Sequence, residues 1–127
     1  MSNFTLSKRS EKNLKGVHPD LVRVVRRAIE LTDVDFMVTQ GLRTIEEQAR
    51  FVAGGKSKTM NSRHLTGHAV DVAAFVNGTV SWRREDYAPI DRAFKAAAKE
   101  LGIPIVWGGS WKFVDCPHFE LDRKRYP

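Results

Sequence analysis

Cysteine is almost absent from this 127-residue sequence: Cys116 is the only one. No disulfide can form within the chain, so the fold cannot depend on an oxidising compartment. Glycine and proline are also scarce, at nine and five residues, which excludes collagen-like repeats. A content of 42% hydrophobic and 28% charged residues is typical of a globular domain, and we expect one that folds in a reducing cytoplasm.

Long apolar runs are missing as well. The longest is only a few residues, whereas about 20 apolar residues are needed to span a bilayer. The first ten residues lack the apolar stretch and the small-residue cleavage site of a signal peptide. We therefore expect a soluble protein that has no secretory leader and no stable membrane insertion.

Acidic residues are outnumbered, since 21 Lys and Arg face 15 Asp and Glu, which gives a net charge of +6. This charge predicts attraction to a polyanion, and nucleic acid, an anionic membrane face and an acidic cell-wall polymer are all candidates. The basic residues are scattered along the whole chain, and no nucleic-acid recognition motif occurs. The sequence therefore disfavours nucleic acid as a partner.

Helical and strand patterns are mixed without a regular alternation. Apolar residues at helical spacing predict an amphipathic helix over 18–32, and a capping box predicts a helix that begins at Thr44 and stops at Gly54. The other patterns predict a strand over 35–39, an exposed loop over 55–67, a buried strand over 69–75, a hairpin turn at Asn77-Gly78, a helix over 89–101, and strands over 103–107 and 117–121. These elements predict one small α+β domain, an antiparallel sheet packed with helices.

Histidine and aspartate are concentrated in two short segments. His64, His68 and Asp71 lie in the first segment, and Asp115 and His118 lie in the second. Asp71 has no charged neighbour in its own apolar strand, so its burial would require a cation, a metal ion or hydrogen-bond donors. Two imidazoles and one carboxylate leave an open position on zinc, as catalytic zinc sites do. The hypothesis is a catalytic Zn²⁺ site formed by His64, Asp71 and His118.

Three neighbouring residues admit two interpretations each. His68 is either a loop residue or a residue that supports a ligand, and we leave it out of the metal set. Cys116 is an alternative ligand, because thiolate binds zinc well, or a neighbour without a role in binding. Glu120 shares a strand face with His118, so it either orients that ligand or is solvated.

The spacing of these residues resembles a known family. The pattern Ser62-x-His64-x-x-Gly67-x-Ala69-x-Asp71, followed by Asp115-x-x-His118, is similar to that of the zinc peptidases. This family includes D-Ala-D-Ala carboxypeptidases, vancomycin-resistance D-Ala-D-Ala dipeptidases and L-alanyl-D-glutamate endopeptidases, and the chain most resembles the short phage endolysins. The resemblance extends over nearly the whole chain and implies a small fold of the Hedgehog/D-Ala-D-Ala peptidase type.

The resemblance also implies roles for individual residues. It makes His64, Asp71 and His118 the zinc ligands and gives Asp115 the place of the catalytic general base, where many relatives have a glutamate that is one methylene longer. Arg43 takes the place of an arginine that stabilises negative charge on the attacked carbonyl. Ser62, in the first motif, is expected to bind substrate or to hold the loop that carries His64. Apart from the resemblance, Trp111, which lies just before the catalytic segment, is expected to line the core or the groove, where it could contact glycan or peptide.

These expectations combine into a zinc-dependent peptidase of the endolysin type that hydrolyses peptidoglycan stem peptides, with the L-alanyl-D-glutamate bond as the expected target. One alternative is a D-Ala-D-Ala dipeptidase or carboxypeptidase, which would use the same site on a different bond. The others are a non-catalytic basic binding domain, which the scattered basic residues disfavour, and a non-catalytic zinc module, against which Asp115 and Arg43 argue. We expect residues 1–127 to form one catalytic domain without a separate cell-wall-binding domain, and to be a monomer. The resemblance implies synthesis in the cytoplasm of a host bacterium and holin-dependent access to the periplasmic wall. No spacing of acidic residues predicts a second, calcium-type ion.

Overall fold

Four α-helices and five strands make up the described part of the chain in a computed structural model that covers residues 4–55, 60, 62–112 and 114–127. The helices are α1 (Lys8–Asn13), α2 (Pro19–Leu31), α3 (Ile45–Ala53) and α4 (Arg84–Leu101). The strands are β1 (Asp35–Gln40), β2 (Ala69–Val76), β3 (Thr79–Ser81), β4 (Ile105–Trp107) and β5 (His118–Leu121). Two short 3-10 helices cover Arg63–Thr66 and Gly108–Ser110.

The strands form one antiparallel sheet in the order β1-β2-β5-β4, and β3 extends β2 as a hairpin. The hairpin turns at Asn77-Gly78, as the sequence predicted. Within the β2–β5 pair, Asp71 lies directly opposite His118. The register of the sheet therefore brings together two residues that are 47 positions apart in the chain.

The hydrophobic core lies between the sheet and the two long helices. Helix α2 packs against α4, and α4 contacts β2 and β4. The ring of Phe94 in α4 stacks on Phe119 of β5, with 3.9 Å between the ring centroids. Burial of these apolar surfaces is the main stabilising contribution, and it holds β5, which carries His118, rigidly against the rest of the sheet. The architecture confirms the α+β class.

Helix α4 begins five residues before the predicted start. Pro89 was expected in its first turn, but the helix already begins at Arg84 and Pro89 lies inside it. A proline at this place removes one backbone donor, and the buried side chain of Tyr87 anchors this end of the helix. Its hydroxyl donates to the carbonyl of Ser81 at 2.8 Å and accepts from the amide of Ala74 at 3.2 Å, which ties the first turn of the helix to the hairpin.

Helix α1 was not predicted, because its six residues carry no apolar stripe. The Ser7 hydroxyl caps the helix by accepting from the amide of Ser10 at 3.1 Å. Ser10 is buried and accepts from the amide of Val38 at 2.9 Å. The Ser10 hydroxyl and the side-chain amide of Asn13, which donates to the carbonyl of Val38 at 2.9 Å, thus fix the helix to β1.

The predicted exposed loop over 55–67 is wrong at its C-terminal end. Residues 63–66 form a 3-10 helix in which Arg63 and His64 are buried, and residues 56–59 and 61 lie outside the described part of the chain. Gly67 ends this helix with φ at +76°, and a Cβ there would press on the carbonyl oxygen of Gly16. The close approach explains a glycine at this position of the motif.

Within the described residues, no helix has both the length and the apolar character required to cross a membrane.

Candidate metal centre

His64, Asp71 and His118 converge on one point. A ligand atom from each of the three lies within 4.8 Å of those of the other two. Among the described residues, this is the one group of three or more His, Cys, Asp and Glu side chains that could hold a metal ion. The structure therefore brings together the three residues proposed from the sequence.

A backbone carbonyl on the side of the ring away from the cluster fixes the orientation of His64. Its Nδ1 lies 2.9 Å from the carbonyl oxygen of Gly41. Because a carbonyl only accepts, Nδ1 carries the proton and Nε2 presents a lone pair to the cluster. This Nε2 is buried without a hydrogen-bond partner and lies 3.3 Å from Oδ1 of Asp71.

The His118 ring is held in the same manner by a carboxylate. Its Nε2 lies 2.8 Å from Oε1 of Glu120, and its Nδ1 lies 3.1 Å from Oδ1 of Asp71. With the outer nitrogen donating to Glu120, the inner nitrogen can present a lone pair. Both imidazoles thus have an outer acceptor that orients them, as metal-binding histidines usually do.

The electrostatics of the cluster favour a cation. Burial disfavours the charged form of Asp71, but the His118 imidazole, which contacts it at 3.1 Å, and the nearby His64 imidazole outweigh that effect and hold the pKa of Asp71 well below its usual range. Burial lowers the pKa of His118, but hydrogen bonds to Asp71 and Glu120 outweigh that effect and raise it to about 9. The pair therefore retains a proton that a metal ion would displace. One buried unpartnered nitrogen and a second nitrogen facing the same carboxylate fit a divalent metal bound by two imidazoles and one carboxylate.

Glu120, which the sequence left between two roles, is buried rather than solvated. Its Oε1 contacts His118, and its Oε2 lies 3.9 Å from Nε of Arg63. Arg63 also donates from Nη2 to the carbonyl oxygens of Leu121 and Tyr126, at 3.2 and 2.6 Å. Arg63, the residue before His64, therefore contacts both Glu120, which supports His118, and the C-terminal segment.

Substitution Glu120→Gln is expected to weaken metal binding by about tenfold or more, because a neutral amide is a poorer acceptor for the His118 Nε2 proton. The measurement is metal affinity by competition with a chromophoric chelator. The control is Glu100→Gln, which alters an exposed carboxylate that pairs with Arg27. Equal affinity of Glu120→Gln and the parent would contradict a role of Glu120 in orienting His118.

Arg43 lies beside the cluster on the loop that joins β1 to α3. Its amide donates to the carbonyl of His64 at 3.0 Å, so this loop and the turn that carries His64 are bound to each other from both sides. Its Nη2 lies 3.7 Å from Oδ2 of Asp71. Burial lowers the pKa of the guanidinium, and the nearby carboxylates of Asp71, Glu47 and Asp115 act in the opposite direction.

The groups that hold the Arg43 side chain were missed in the sequence. Nε donates to Oε1 of Gln40 at 3.0 Å, Nη1 donates to Oε1 of Gln48 at 2.6 Å, and Cζ lies 4.2 Å from the centroid of the Phe51 ring. A signal was present: Gln48 is the buried residue of α3, a polar side chain where an amphipathic helix normally has an apolar one.

Asp115 approaches the cluster from the segment before β5. Its amide donates to the carbonyl of Gly108 at 2.9 Å, and its own carbonyl accepts from the amide of His118 at 3.1 Å. A Cβ at Gly108 would collide with the carbonyl oxygen of Asp115. Asp115 is exposed to solvent as a whole residue. The partial burial of its carboxyl is the main effect on the pKa, which it raises, and the charge of Asp71 raises the pKa further. The positive groups of His118, His64 and Arg43 lower it. The charges of all three proposed ligands and of Arg43 therefore act on this carboxyl.

The two predicted substrate contacts lie next to the metal ligands. The Ser62 hydroxyl accepts from the amide of His64 at 3.2 Å, and so caps the 3-10 helix. The Trp111 ring centroid lies 4.8 Å from that of His118, and the indole is partly exposed. Trp111 thus forms a wall beside the third proposed ligand, and substrate contact by both residues stays a prediction.

His68 and Cys116 lie outside the cluster. The Nδ1 of His68 faces the Thr66 hydroxyl at 2.6 Å. The carbonyl of Cys116 accepts from the indole nitrogen of Trp107 at 2.7 Å, and its thiol does not join the ligand group found among the described residues.

Comparison with known proteins agrees with this architecture. The chain is similar to the L-alanyl-D-glutamate peptidase of Escherichia phage T5. The two share 39% identity over an alignment 128 residues long, which covers 98% of this chain and 93% of that protein. It is also similar to the crystal structure of the Serratia marcescens L-Ala D-Glu endopeptidase ChiX, with 50% identity, a TM-score of 0.91, and coverage of 98% of this chain and 96% of that one. The vancomycin-resistance D,D-dipeptidase VanXYg shares the fold alone, with a TM-score of 0.53 and 16% identity over 83% of this chain and 50% of that one.

The fold and these relatives define a peptidase. A family model described as phage L-alanyl-D-glutamate peptidase matches residues 1–126. The chain belongs to that family, which confirms the resemblance seen in the sequence motifs.

Proposed function

We propose that the protein is a zinc-dependent endopeptidase that hydrolyses the L-alanyl-D-glutamate bond of peptidoglycan stem peptides. The observation that carries this proposal is the convergence of His64, Asp71 and His118, with Arg43 and Asp115 beside them. Membership of a family described by this bond supports the choice of target. Synthesis in a host cytoplasm and holin-dependent release stay predictions from the resemblance, and a monomeric, single-domain state stays a prediction from the sequence.

His64, Asp71 and His118 would hold the zinc ion through two nitrogens and one carboxylate oxygen. When bound, zinc polarises a scissile carbonyl and makes water nucleophilic at neutral pH. Three protein ligands leave a coordination position available, as in catalytic zinc sites. The outer hydrogen bonds to Gly41 and Glu120 keep the two imidazoles in the orientation that binding requires.

Asp115 and Arg43 supply the proton transfer and the charge stabilisation. The Asp115 carboxylate accepts the proton of the attacking water and can donate it to the leaving amine. The Arg43 guanidinium faces the cluster through Nη2 and stabilises negative charge that develops on the carbonyl oxygen. Trp111, beside His118, and Ser62, beside His64, would contact the peptide.

The test is digestion of purified peptidoglycan, followed by mass analysis of the fragments. New fragments with N-terminal D-Glu are expected, and release of D-Ala in their place would contradict the assigned bond and favour a D,D-peptidase. Pretreatment with a chelator should abolish cleavage, and added Zn²⁺ should restore it. Cleavage that continues after complete metal removal would contradict the zinc mechanism.

A further inference from the structure

The buried guanidinium of Arg43 is held by neutral groups. Burying a charge is costly unless it is paired, and buried arginines commonly lie against carboxylates. Here Nε and Nη1 both donate to amide oxygens, those of Gln40 and Gln48, and the face of the guanidinium lies against the ring of Phe51. The side chain is thus fixed at three places by groups that leave its charge uncancelled.

The nearest carboxylate is shared with the metal cluster. Among the described residues, Asp71 has the one carboxylate within 4 Å of this guanidinium, and the 3.7 Å separation is longer than a hydrogen bond. The same carboxylate faces the imidazole nitrogens of His118 and His64, at 3.1 and 3.3 Å. Once it binds a cation, it offers Arg43 little neutralisation.

Gln48 contributes most to this arrangement. It is completely buried, and its contact with Nη1 is the shortest of the three. A glutamate at this place would add the attraction between opposite charges to the hydrogen bond, but it would also cancel the charge of Arg43. The neutral amide of Gln48 holds the guanidinium in the same position and leaves the positive charge of Arg43 unchanged.

We propose that Gln48, together with Gln40, is a positioning residue that fixes Arg43 through neutral acceptors and keeps its positive charge for the anionic transition state of peptide hydrolysis. This inference rests on the proposed function. It assigns to the two glutamines an effect on turnover that a role in stability alone would not produce.

The test is the near-isosteric substitution Gln48→Glu, with Gln40→Glu at the less buried position as a second variant. We expect kcat on a stem peptide to fall at least tenfold, with KM and zinc content unchanged, because the lost charge acts only in the transition state. Asn77→Asp adds the same charge in the exposed β2–β3 turn and should leave kcat within twofold of the parent.

A second measurement does not depend on activity. The shift in the thermal unfolding midpoint caused by Gln48→Glu is compared in the parent and in an Arg43→Met background, both without metal. The shift should be more stabilising when Arg43 is present, because the new carboxylate pairs with it. Equal shifts would overturn the contact between the two residues.

The outcomes separate this inference from the proposed function. If the parent protein fails to release fragments with N-terminal D-Glu, the proposed function fails, and the unfolding comparison still tests the contact. If the parent cleaves and both glutamate variants retain kcat within twofold, the inference is overturned while the function stands. A rise in KM with unchanged kcat would also overturn it, because Arg43 would then act on bound substrate in the ground state.

Discussion

His64→Ala is expected to lose both the metal ion and the activity. The parent should bind about one zinc per chain, and the variant should retain almost none after dialysis against a weak chelator. The reason is that His64 provides a buried nitrogen with no hydrogen-bond partner, held towards Asp71 by the carbonyl of Gly41. Metal analysis and peptidoglycan digestion measure the two losses separately.

His68→Ala is a matched control for this substitution. His68 lies four residues further along the chain, and its Nδ1 contacts the Thr66 hydroxyl rather than the cluster. This variant should keep the zinc content and turnover of the parent. A purified His64→Ala protein with undiminished activity would refute the ligand assignment, and loss of zinc in both variants would attribute the effect to the local turn and not to the ligand.

The chemistry of the candidate site could be predicted because three of the four histidines lie in the two short segments that also hold Asp71 and Asp115. His64, Asp71 and His118 were selected from two short segments, and the β2–β5 register then explains why distant segments meet. The sequence could not show which ring nitrogen faces the cluster, because that depends on outer contacts with a backbone carbonyl and with Glu120. Such contacts are set by tertiary packing and not by local pattern.

The same distinction applies to the fold. The amphipathic helix α2 and the hairpin turn were predicted because apolar spacing and the Asn77-Gly78 pair are local signals. Helix α1 and the first turn of α4 were not, because hydroxyl groups hold them to distant backbone: Ser10 to the amide of Val38, and Tyr87 to the hairpin. The burial of the segment around His64 was missed for a related reason, since polar residues there are buried by contacts with the C-terminal segment.

Asp115→Asn is expected to keep the metal and lose turnover. The carboxylate of Asp115 is not part of the ligand group, and its backbone contacts with Gly108 and His118 do not involve the side chain. Zinc content should therefore equal that of the parent. Removal of a general base typically costs about 10²- to 10⁴-fold in rate, so kcat should fall by that order while KM changes little.

The stability of Asp115→Asn distinguishes loss of chemistry from loss of fold. Burial and the neighbouring Asp71 raise the pKa of the Asp115 carboxyl, so its ionised form is less favoured in the folded protein than in the unfolded chain. At pH 7 a neutral amide removes that cost, and the unfolding midpoint should equal or exceed that of the parent. Asp33→Asn, an exposed change just before β1, should alter neither zinc content nor kcat. If Asp115→Asn turned over within threefold of the parent, the proton would have to be accepted by another group, and the assignment of Asp115 as the base would be wrong.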